Sequence, residues 1–133
     1  MESRIRAIML LTSDLDRAVR FYEQGLGLTL ARSGADMAAF ELEGAALAIL
    51  TRDAATKLTG LVLGEAPEMP SQFQVLQAGS REDVDATIEQ VRRAGATVLR
   101  EPHENDWGGY SAAFRDPDGN SWSVGFNVEF YRA

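Results

Sequence analysis

Apolar positions along the chain switch between two periods. After Ser13, Leu15, Ala18, Val19 and Tyr22 recur at the spacing of one helix face, with Ser13 available as a cap, Asp16 in the first turn and Gly25 where a helix stop is expected. After Ser80, Val84, Ile88 and Val91 give a second stripe that runs to Ala94 and stops at Gly95. Short runs with strand character flank both: IRAIMLL and QFQVLQ ahead of the helices, then GLTLAR (Gly27 to Arg32) and GATVLR (Gly95 to Arg100) behind them. Beyond these, Ala38, Ala39 and Phe40 recur as Ala112, Ala113 and Phe114. Each trio is followed by an acidic turn ending in glycine, Gly44 or Gly119, and then by a further strand, ALAIL or SWSVGF.

The order of elements is therefore strand, helix, strand, strand, strand, stated twice. Four correspondences in one order, at offsets of 67 to 75 residues, are more than short matches produce by chance. The pattern predicts an α+β chain of two tandem βαβββ modules, about 4–63 and 72–130, within a single domain spanning 1–133. The stretch Gly64 to Ser71, GEAPEMPS, reads as the linker between them.

Composition narrows the chemistry. At 133 residues the chain can bury a real core without staples. It has no cysteine, which excludes disulfides, thiolate nucleophiles and Cys-held metals. A formal charge of -7 makes phosphate backbones and anionic lipid poor partners, so neither nucleic acid nor membrane is expected. The apolar run near the N-terminus is too short for a signal-peptide core or a membrane span, which predicts a cytoplasmic protein.

Two phrases carry a family likeness. SDLDRAVRFYEQGLGL, Ser13 to Leu28, and FRDPDGNSWSV, Phe114 to Val124, set in a duplicated βαβββ frame, resemble the vicinal oxygen chelate superfamily of glyoxalases, bleomycin resistance proteins and extradiol dioxygenases. The resemblance spans roughly Ile5 to Asn127. It implies a curved open sheet around a shared cavity, and commonly a homodimer. Many chemistries share this scaffold, so the function must be argued from the site.

Many members of that family hold a divalent metal through His, Glu or Gln donors, two from each module. The resemblance places the first donor seven residues before Asp14, at Ala7, and the last four residues after Gly119, at Ser123. The internal repeat supplies their partners, Ala48 and Gln74, with a one-residue margin that would substitute Phe73. One amide oxygen does not hold a metal, so no metal and no other cofactor is expected. His103, beside Glu101, Glu104 and Asp106 in REPHENDW, forms a second group of metal-capable residues, but it reads as a solvated loop.

Strand alternation then assigns the cavity wall. If Ala7 and Ser123 face it, so do Met9 and Leu11, Gly125 and Asn127, and from the second module Gln72 and Gln74, while Trp122 and Val124 pack beneath a helix. Phe21 and Tyr22 are expected in the core, and Asp116 to Gly119 as a tight turn. The segment WGGY, Trp107 to Tyr110, has no counterpart in the first module. In bleomycin-resistance-like relatives an aromatic at this place overhangs the cavity and stacks on the ligand, so Trp107 and Tyr110 join Gln74, Ser123, Met9 and Gln72 as ligand-binding candidates.

No acid–base pair or activated nucleophile stands out in this wall, and no catalytic residue is assigned. The expected function is metal-independent binding of a small organic molecule, for sequestration or sensing. The alternatives are a lyase, isomerase or dioxygenase with an atypical metal set, or an adaptor whose cavity is filled by its own side chains.

Overall fold

In the computed structural model, residues 1–60, 72–106 and 108–127 are described. The first module runs β1 (Ala7–Thr12), α1 (Leu15–Gln24), β2 (Leu30–Ser33), β3 (Met37–Leu42) and β4 (Ala45–Thr51). After α2 (Arg52–Thr59) the second follows as β5 (Gln74–Gln77), α3 (Arg81–Arg93), β6 (Thr97–Glu104), β7 (Tyr110–Arg115) and β8 (Ser121–Phe126). The first sheet has the order β1-β4-β3-β2 and the second β5-β8-β7-β6. In each, the opening strand runs parallel to the last and the remaining neighbours are antiparallel, so the duplicated pattern is a duplicated topology. The expected linker, Gly64 to Ser71, lies outside the described residues.

Two local features differ from expectation. The cap of α1 is Asp14, whose side chain accepts from the Arg17 backbone N–H at 3.1 Å. Ser13 is otherwise engaged: its N–H and hydroxyl both donate to Asp118, at 3.0 and 3.2 Å. Helix α2 continues directly from β4, capped by Thr51, which accepts from the Ala54 N–H at 3.2 Å. Eight residues hold too few apolar positions to announce a helix by period. It packs against β4 and β1, where Ala48, Leu50 and Ala55 are buried apart from the main core.

The core lies between the helix-facing sides of both sheets and α1 and α3. Phe21 and Tyr22 from α1, and Val84, Ile88 and Val91 from α3, meet Phe40, Phe114 and Trp122 from the strands, all essentially inaccessible to solvent. Tyr22 contacts Phe40 of its own module at 5.9 Å and Trp122 of the other at 6.0 Å between ring centroids. Phe114 stacks on Trp122 at 6.4 Å. Each such pair contributes about 1 kcal/mol beyond the burial of its area. Gly25 is required here by close approach: a Cβ would stand 2.6 Å from the Phe21 carbonyl oxygen and 3.1 Å from Ala94 Cβ, where the ends of α1 and α3 meet.

The turn between β7 and β8 locks the modules together. Asp116, 4 % exposed, accepts from the Asp118 and Asn120 N–H groups at 2.9 and 2.8 Å. Its second oxygen takes the Tyr22 hydroxyl at 2.6 Å and the Asn120 amide at 2.9 Å. Tyr22 in turn accepts from the Trp122 indole at 3.1 Å. Asp118 reaches across to the start of α1, accepting from the Thr12 hydroxyl at 2.6 Å and pairing with Arg17 at 2.7 Å. Burial pushes the Asp116 carboxyl above the usual aspartate value, against hydrogen bonds from Tyr22 and Asn120 that pull it down. Burial first, then the neighbouring Asp116 charge, raises the Tyr22 phenol well above its ordinary range.

Candidate functional site

Each sheet has one face on the core and one turned away from it; register decides which residues share this outer face, and in the first sheet α2 covers part of it, over Ala48 and Leu50. In the first sheet Ala7 pairs with Ala46, Met9 with Ala48 and Leu11 with Leu50, while Leu10 and Thr12 of the other parity are buried. In the second, Val75 pairs with Ser123 and Gln77 with Gly125, whereas Gln74 pairs with the core residue Trp122 and Leu76 with Val124. Across the repeat, Met9 and Ala48 thus match Val75 and Ser123, and two residues earlier Ala7 matches Phe73.

This register corrects the sequence-based alignment by one residue. Gln74 turns toward the helix side, and Phe73 takes the place expected of it, 59 % exposed. The four positions where a metal-holding relative would carry donors are consequently Ala7, Ala48, Phe73 and Ser123. Three of these side chains are hydrocarbon, and the Ser123 hydroxyl donates to the Ala112 carbonyl at 3.2 Å. This set does not fit a divalent ion. Among the described residues, no three His, Asp or Glu side chains converge elsewhere as a metal set.

The other candidates are placed as follows. Met9 stands on the open face of the first sheet, half exposed, and Ser123 on that of the second. Gln72 is exposed ahead of β5. Tyr110 is a second correction: it pairs with Phe126, packs against the core, and donates its hydroxyl to Asp85 of α3 at 2.6 Å under the Arg81 guanidinium, 5.0 Å from its ring centre. That hydrogen bond to Asp85 is the chief cause of its raised pKa. The Asp85 partner is 25 residues away and on a helix, so nothing local in WGGY signals it. Trp107 lies outside the described residues.

His103 is a third correction. It belongs to β6, paired with Ser111 of β7, rather than to a solvated loop. Eight residues of β6 run beside six of β7, and register shifts between Val98 and Arg100 and again between Arg100 and His103 absorb the excess. These irregularities put Arg100 opposite Ala113 and His103 opposite Ser111, on the same open face as Ser123. The acidic residues around them turn the other way, where Glu101 pairs with Arg92 and Glu104 with Arg81, both on α3. His103 Nδ1 sits 2.9 Å from the Glu101 carbonyl oxygen, an acceptor, so in the neutral ring the proton belongs on Nδ1 and Nε2 keeps its lone pair. A surplus of residues in one strand of a hairpin was the available signal.

Known proteins match this arrangement. The sequence matches the Glyoxalase/Bleomycin resistance protein/Dioxygenase superfamily over residues 4–124. A glyoxalase-related enzyme from Fulvimarina pelagi superposes with a TM-score of 0.89 at 24% identity, covering 95% of this chain and 89% of its own. A glyoxalase/bleomycin resistance protein/dioxygenase family enzyme from Burkholderia phytofirmans PsJN gives 0.83 at 19% identity, covering 95% and 100%. A lactoylglutathione lyase from Agrobacterium tumefaciens gives 0.71 at 23% identity, covering 96% of each chain. No match was found among curated proteins. At these identities the structural neighbours establish the fold, while the sequence match over nearly the whole length establishes the family. With paired βαβββ modules, two open sheet faces and a match that spans both, the chain belongs to the Glyoxalase/Bleomycin resistance protein/Dioxygenase superfamily.

Proposed function

We propose that this protein binds a small organic molecule without a metal ion, sequestering or sensing it rather than transforming it. The observation that carries the reading is the identity of the four donor positions, Ala7, Ala48, Phe73 and Ser123. Three hydrocarbon side chains where lone pairs are needed leave a face suited to apolar or aromatic contact instead. Met9 at 51 %, Phe73 at 59 % and Val75 at 42 % exposure supply that contact surface, with Ser123 beside them. In a homodimer, as the family resemblance implies, two copies would enclose the ligand between such faces. Trp107 adds a stacking surface on the sequence argument alone.

A compound screen by quenching of tryptophan emission, run with and without excess chelator, tests this. The reading expects at least one ligand bound equally well in both, with quenching lost in Trp107→Ala although Trp122 remains. Binding that appears only when a divalent metal is supplied contradicts it.

A further inference from the structure

The open face of the second sheet carries a charge pattern opposite to that of the molecule. The chain as a whole is at -7. Yet the register positions on this face of β5 to β8 are Val75 and Gln77, Ser121, Ser123 and Gly125, Ser111, Ala113 and Arg115, and Thr97, Arg100 and His103. Among the described residues none of them is a carboxylate. The acids that neighbour the cations in sequence, Glu101 and Glu104, lie across the sheet and are held there by Arg92 and Arg81. The Arg100 side chain is exposed and makes no hydrogen bond or ion pair within the described residues. His103 spends only Nδ1 on the backbone. Arg115 stands on the same face, already engaged. The Ser121 hydroxyl, in a residue 8 % exposed, is buried without a partner among the described residues.

We propose that the ligand of this site is an organic anion, with its apolar body over Phe73, Val75 and Leu99 and its acid group directed to the Arg100 guanidinium, with His103 donating from Nε2 when the imidazole carries a second proton. The inference rests on the binder reading above and names the class of molecule bound. Phe73, Val75 and Leu99 are the exposed large apolar side chains of the second sheet, Leu99 being next to Arg100 in β6. A long apolar side chain adjoining a guanidinium and an imidazole edge matches a flat molecule bearing a carboxylate, sulfonate or phosphate. Net negative charge elsewhere repels such an anion at long range, so the local cations decide selectivity through contact rather than through steering. A neutral ligand would leave the Arg100 guanidinium without a charge to pair. An ammonium ligand would meet like charge.

The probes are 1-anilinonaphthalene-8-sulfonate and N-phenyl-1-naphthylamine, the same ring system with and without its sulfonate, titrated against the full chain by fluorescence. The anionic probe is expected to bind more tightly, and to weaken roughly five- to tenfold in Arg100→Gln and by a similar factor in His103→Gln. The neutral probe should be unaffected in both. Arg93→Gln removes an equal charge from exposed α3 and is expected to change neither probe. Added salt should weaken only the anionic probe. Equal affinity for the two probes, or an Arg100→Gln effect no larger than that of Arg93→Gln, overturns the anion assignment while the binder reading stands. If neither probe binds, the anion assignment over this face falls, and the binder reading is decided by the compound screen.

Discussion

Asp116 is a single side chain that holds four donors, two from its own turn and two from side chains. Replacing one of its oxygens with an amide orphans two of those donors and sets N–H against N–H in a buried site. Asp116→Asn is therefore expected to cost about 3 kcal/mol, read as a lower urea midpoint. The same residue gives the sign of a pH effect. Its carboxyl lies above the ordinary value because burial outweighs its hydrogen bonds, so its favourable contribution is fully present below the unfolded pKa and is lost as pH rises through the folded one. Unfolding free energy in the wild type should carry that falling component through the carboxylate range, and Asp116→Asn should lack it. A wild type and variant with the same pH slope would contradict the assignment. None of these partners was readable from DPDG, which announces a turn but not Tyr22, 94 residues away in sequence.

At the scale of elements, the turn acts as a latch between modules. Asp118 collects Thr12, Ser13 and Arg17 at the β1–α1 junction, and Asn120 donates to the Leu11 carbonyl at 3.1 Å. Asp118→Ala removes the acceptor of a buried threonine and of a partly exposed arginine. The arginine part is discounted for solvent screening. About 2 kcal/mol of destabilisation is expected, with an unchanged urea slope because the two modules share one core and unfold together. Two separate transitions would show that the core, and not only the latch, is divisible. Elements of strong period were legible: both long helices, the sequence of elements along the chain and the duplication follow from apolar spacing. Helix α2 was not, being short, and neither was the phase of β5, where a shift of one residue exchanges Gln74 for Phe73 and changes the chemistry of the face. The irregular pairing of β6 hid His103 and Arg100 for the same reason, since bulges break the alternation by which faces are assigned.

For the molecule as a whole, the family frame is retained, and the positions that the resemblance assigns to metal donors carry Ala7, Ala48, Phe73 and Ser123. Shared fold does not carry shared chemistry; what the site can do follows from the side chains on its open faces. Those faces are apolar along the edge strands β1 and β5, with Met9, Phe73 and Val75 exposed, and basic along β6 at the other edge of the second sheet. Among the described residues no helix is long and apolar enough to cross a membrane. Binding without a metal can be checked by elemental analysis of the untagged protein purified without chelator. Nickel, zinc, iron and manganese are each predicted far below one ion per chain. Any one of them retained at one per chain would contradict the account.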